Sequence, residues 1–265
     1  MTIERTRRAL FGRSAAVLGG AGFFSLASTS ARGQSPDNTP PDVGRKFFRD
    51  GRVKEFKGNT IICHLPQQDA GYRTFDALLG IYRDVPSYAF ARKLAILPPS
   101  SYHMTIFGGA NDLGRKPGLW PDDIALDTPI TLCNALLAER LFSFPLDCEL
   151  PIRMRVDLAP IVRSSPITVD LKPSDDQELQ KLRRLRDRLS DLLRIRAPDH
   201  DRYGFHITIA YQIAWFDEAE EDAYAIARRR WLVRLQQEAP VISFGAPEYC
   251  TFNDMFSFRR QLFIT

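Results

Sequence analysis

Two hexapeptides lying 103 positions apart share one wording: Tyr102-His103-Met104-Thr105-Ile106-Phe107 and Phe205-His206-Ile207-Thr208-Ile209-Ala210. Each sets an aromatic residue before His-x-Thr and fills the gaps with apolar side chains, an alternation that predicts a half-buried β-strand. On a strand, residues two apart share a face. His103 and Thr105 therefore project together, opposite Met104 and Ile106, and His206 and Thr208 repeat the arrangement opposite Ile207 and Ile209. The chain has four histidines in all, and two of them occupy the same local context. One such copy is easily a strand histidine satisfied by its neighbours; two copies in matching surroundings point to a paired site.

The surroundings do match. In the first half, Asn59 to Leu65 is an apolar strand ended by Pro66, followed by a helix with Phe75, Leu78, Leu79 and Tyr82 at helical spacing, broken by Pro86, and then the His103 strand. In the second, Ile167 to Leu171 is a strand ended by Pro173; Ser174 and Gln177 form a capping box; Leu179, Leu182, Leu185, Leu189 and Leu192 make an amphipathic stripe; the His206 strand follows. After each motif the order continues in parallel. A helix opens at Thr128-Pro129 before a strand pattern around Ile152 to Val162, and another opens at Asp217, with Glu220 three residues on, before strands near Val241 to Phe244 and Phe256 to Phe263. The expectation is an internally duplicated α+β chain with lobes at roughly 44–165 and 166–265, strand exchange between them being allowed.

The N-terminus reads differently. Arg7-Arg8 precedes an apolar, glycine-containing run from Ala15 to Ala27, closed by Thr29, Ser30 and Ala31, the pattern of a twin-arginine export signal cleaved after Ala31. Residues 32–43, rich in Pro, Ser, Asp and Asn, read as a disordered leader, with the globular part starting near Gly44. Removing residues 1–31 takes away four Arg and one Glu, leaving 32 basic against 31 acidic residues. So balanced a chain lacks the clustered cations that hold a long nucleic acid by counterion release.

Other features carry less. Lys181, Arg183, Arg184, Arg186 and Arg188 interleave with Asp and Glu and read as a solvated, salt-bridged face. Gly109 to Arg115 lacks the Gly-Lys-Ser/Thr of a phosphate loop, and no Gly-x-Ser-x-Gly or Cys-x-x-Cys is present. Cys63, Cys133, Cys148 and Cys250 are expected to be free thiols, mostly buried among apolar neighbours.

The paired His-x-Thr strands resemble the 2H phosphoesterase superfamily, and their flanking residues are most similar to a branch whose members have no assigned function. The resemblance runs from about Asn59 to the C-terminus. It implies a bilobal α+β fold in which antiparallel sheets line a groove and the motifs face each other across a pseudo-two-fold axis. It also implies chemistry on 2′,3′-cyclic phosphates or related phosphodiesters.

That chemistry suits the residues on their own terms. Opening a cyclic phosphodiester needs one group to take a proton from water and another to give one to the leaving oxygen, and imidazole serves either role near neutrality. His103 and His206 are the expected acid and base, with the assignment open; Thr105 and Thr208 would donate to the non-bridging oxygens. Tyr102, Phe107, Tyr203 and Tyr211, with Phe205, bracket the motifs and are candidates for stacking substrate at the groove rim or for filling core. The scheme calls for no metal and no cofactor.

The expected partners are a small phosphodiester or nucleotide and the twin-arginine export machinery, with no long nucleic acid, no lasting membrane insertion and a monomeric state. Two readings of other classes stand against this one: a metal site assembled from His64, His103, His200 and His206, which the spacing does not support because no His-x-x-x-His or similar pair is present, and an exported, non-catalytic binding protein for a small anion.

Overall fold

The computed structural model describes residues 39–68, 71–159 and 166–265. The export signal, most of the leader and the end of the strand expected to reach Val162 lie outside the described residues. The elements are β1 (Gly58–His64), α1 (Tyr72–Asp84), β2 (Leu94–Ile96), β3 (His103–Asn111), α2 (Ile130–Phe142), β4 (Ile152–Val156), β5 (Ile167–Pro173), α3 (Asp176–Leu193), β6 (Phe205–Gln212), α4 (Glu218–Glu238), β7 (Ile242–Phe244), β8 (Glu248–Phe252) and β9 (Arg259–Phe263). The fold is α+β. The helices α3 and α4 start where side chains satisfy free amides of the first turn: Asp217 and Glu220 cap α4 reciprocally. In α3 the cap lies one residue later than Ser174, because the Asp175 carboxylate accepts from the Glu178 amide at 2.9 Å while the Ser174 hydroxyl is spent on Asp175.

The strands form one sheet in the order β7-β4-β5-β6-β3-β1-β8-β9, with β2 also pairing β6, and every pair is antiparallel. The two expected sheets are thus continuous, joined where Met104 of β3 pairs with Ile207 of β6. Outward from that centre the order is matched: a motif strand, then the first strand of its own half, then a strand from the other half. β4 lies against β5, and β8 lies against β1. On the core face, Met104, Ile106 and Ile207 are fully buried, with Leu182, Leu185 and Leu189 of α3 and Cys133 and Leu137 of α2 in the same apolar cluster.

Two expectations change here. Residues 39–43 are folded, not leader: Asp42 is buried, its carbonyl accepts from the amides of Lys46 and Phe47, and its carboxylate pairs with Lys46 at 3.2 Å. Arg186 is not on the solvated face of α3. It is 5% exposed, donates to the carbonyls of Ile106 and His200, and lies 4.1 Å from the Tyr203 ring. Two carbonyls and an aromatic face compensate the desolvation of a weakly hydrated guanidinium.

Candidate functional site

The β3–β6 register sets the geometry. Because Met104 and Ile207 are partners on antiparallel strands, His103 falls beside Thr208 and Thr105 beside His206, all four on the face opposite the core. The two histidines are then diagonal neighbours, a relation that separates residues by roughly 7–8 Å. All four line one open groove, together with Phe56, Asn59, Thr60, Leu97, Gly108, Gly109, Asn111, Tyr211, Phe252, Met255 and Phe258.

The imidazoles are anchored alike. His103 Nδ1 lies 2.7 Å from the Ser101 carbonyl, and His206 Nδ1 lies 3.1 Å from the Gly204 carbonyl; each partner is two residues upstream. A carbonyl only accepts, so both Nδ1 atoms carry the proton and both Nε2 atoms are left for the groove. Burial, with the positive fields of His64 and His206, pulls His103 down to about 4 against the opposing Ser101 carbonyl and Glu248. Its Nε2 is therefore a free lone pair at neutral pH.

The groove wall was not visible in the motifs. Phe258 sets its ring 4.3 Å from that of His103, Phe252 follows at 5.4 Å, and Phe56 stacks on Phe252 at 5.8 Å. On the floor, a Cβ at Gly109 would overlap Asn59 Oδ1; that oxygen accepts from the Ala110 amide, and the Asn59 amide donates to Asn134. The three phenylalanines come from strand ends and loops far from either motif, so no local pattern announces them.

The sequence-expected aromatics divide. Tyr211 lines the groove, and its hydroxyl accepts from Lys46 at 3.3 Å. Tyr102 is 2% exposed and shares the core face of Met104, as its spacing of two dictates. Phe107 is also buried. The β1–β3 register passes from Thr105 to Phe107 and skips Ile106, so this bulge turns Phe107 to the core, near Arg186 and His200. Tyr203 is not among the groove-lining residues but borders them: its hydroxyl is hydrogen-bonded to Thr105, its ring lies 6.5 Å from that of His206, and Arg186 and Phe205 flank it.

A scan against family models matches residues 46–163 to 2H-phosphodiest, a domain of unknown function (DUF1868). Among solved structures, a conserved protein of unknown function from Agrobacterium tumefaciens strain C58 is 30% identical, with a TM-score of 0.77 over 87% of this chain and 97% of that one. The chain belongs to the 2H phosphodiesterase-like family, in a branch without an assigned function. No curated protein matches. The family model covers His103 and Thr105 and ends before His206, so the second half of this 2H site is read from the register.

The alternative metal site of His64, His103, His200 and His206 is not assembled among the described residues. His200 is held by Asp187 at 3.0 Å, on the core side. His64, Glu248 and Cys250 do lie close together, but Glu248 is shared between His64 at 3.0 Å and Arg260 at 3.4 Å. The Cys250 thiol is pushed by burial to about 12. This 2H protein carries an ion-pair cluster there, and its four cysteines are free. Among the described residues no helix is long and apolar enough to cross a membrane.

Proposed function

We propose that this 2H protein hydrolyses a small cyclic phosphodiester, using its own side chains as acid, base and oxyanion donors. The observation that carries the reading is the Met104–Ile207 register, with both Nδ1 atoms tied back and both Nε2 atoms free. His103 Nε2 takes a proton from water as the water oxygen bonds to phosphorus. The P–O bond to the leaving oxygen breaks, and protonated His206 Nε2 delivers a proton to that oxygen. Thr105 and Thr208 donate to the non-bridging oxygens, where negative charge concentrates. The product is a phosphate monoester, and solvent restores both imidazoles.

No Lys or Arg lies among the described residues lining the groove. That composition, with the nearly neutral charge beyond residue 31, favours a ligand with few phosphates, such as a 2′,3′-cyclic or other small cyclic nucleotide. The decisive experiment is incubation of purified protein with a panel of cyclic nucleotides in chelator. Monoester formation, with affinity nearly unchanged between about 50 and 200 mM salt, is the expected result; a steep salt loss indicates a polymer. Binding without turnover leaves an anion-binding protein instead. Residues 1–31 support export by the twin-arginine route, which replacing Arg7 and Arg8 together by Lys in a reporter fusion should block.

A further inference from the structure

A third histidine stands beside the first motif. His64 of β1 is the cross-strand partner of His103, so both project from the same face of the sheet, and their rings lie 6.2 Å apart, edge to face. A carboxylate orients His64. Its Nδ1 donates to Glu248 Oε2 at 3.0 Å, and Glu248, on β8, is itself buried and takes a second, longer contact from Arg260 of β9.

We propose that His64, held by Glu248, is a positioning residue that keeps His103 ready to accept a proton. The inference rests on the acid–base reading of the groove. A buried carboxylate stabilises the imidazolium form of its partner, and an imidazolium one strand from His103 repels a proton there. Glu248 alone would act in the opposite sense on His103. The charged groups facing His103 are His64 from β1, His206 from β6 and Glu248 from β8, with Arg260 beyond Glu248. His64 thus offsets an anion that on its own would draw the His103 midpoint up towards neutrality. Burial pushes the Glu248 carboxyl up, but the bond and charge of His64, with Arg260, outweigh it and hold the carboxyl low. Both directions agree with the geometry.

The test follows imidazole resonances of the isotope-labelled full chain between about pH 3 and 8, in the wild type and in His64→Gln, His64→Lys and His64→Gln/Glu248→Gln. In the wild type His103 should take up its proton only near pH 4. His64→Gln should raise its midpoint by about one pH unit, the scale of one charge at this separation. His64→Lys keeps the charge and should hold the wild-type midpoint; the double variant removes both charges and should fall back towards it. An unmoved midpoint in His64→Gln, a raised one in His64→Lys, or a double variant as shifted as His64→Gln would overturn the proposal. Where turnover is found, the acid limb of kcat/KM should move with the midpoint. A wild type without turnover removes the phosphodiesterase reading, while the midpoints still decide the role of His64.

Discussion

The two motif strands share a backbone and differ in their neighbours. Both carry a bulge at the equivalent apolar residue: β3 skips Ile106 against β1, and β6 skips Ile209 against β5. Beyond each bulge the residue brought to the groove differs, Gly108 in one half and Tyr211 in the other. Across the strand, His103 meets His64, whereas His206 meets Asp170, a carboxylate held by Thr168 and Arg228. The two halves thus share the geometry that points two imidazoles into one groove. The flanking strands place an imidazole beside one and a carboxylate beside the other, an asymmetry that suits a base and an acid.

The largest expected effect bears on whether both halves work. His103→Ala and His206→Ala should each lower turnover by on the order of 10²-fold or more, measured as monoester release; wild-type turnover in either single variant would leave only one functional half. Next comes the support of the first half. Arg186→Met leaves the Ile106 and His200 carbonyls without their donor, at a cost of about 1–3 kcal/mol each, readable by urea unfolding. An unchanged midpoint would mean that the bulge beside His103 needs no such clamp.

The difference in charge predicts a pH dependence. The base works unprotonated, so kcat/KM should hold as pH falls from neutrality and drop only near pH 4. The same residue costs stability in acid: unfolded, the imidazole binds a proton near 6.5, and folded near 4, so stability falls as pH drops through that window. His103→Gln should flatten this part of the unfolding profile. The smallest effect is expected from Asp170→Asn, a loss of about threefold to tenfold in turnover with folding retained. A loss equal to that of His206→Ala would make Asp170 more than a neighbour.

Much of this was legible because periodicity reports local structure. The apolar runs of β1 and β5, the stripe of α3 and the His-x-Thr alternation each express a single element facing a core. What stayed hidden needed two elements at once. A bulge is a relation between strands, so nothing in Thr105-Ile106-Phe107 warns that Phe107 turns inward. Arg186 sits at a charged position in a charged helix, and only the carbonyls of Ile106 and His200 explain its burial. β8 reads Glu-Tyr-Cys-Thr-Phe, and its Glu248 disguises a strand whose first three residues are all buried. Phe56, Phe252 and Phe258 reach the groove through tertiary placement alone.

The crossed order of the outer strands bears on how the chain can be divided. A cut between β4 and β5 would release an N-terminal piece in which β1 lacks β8 and β4 lacks β5, and a C-terminal piece with the reciprocal gaps. Each piece would present long rows of open amides and carbonyls on apolar strands, which seek any edge available. Neither should persist as a soluble monomer, but mixing them offers each the edge it is missing. Reconstitution from the two pieces is therefore the expected behaviour, with each half acting as template for the other.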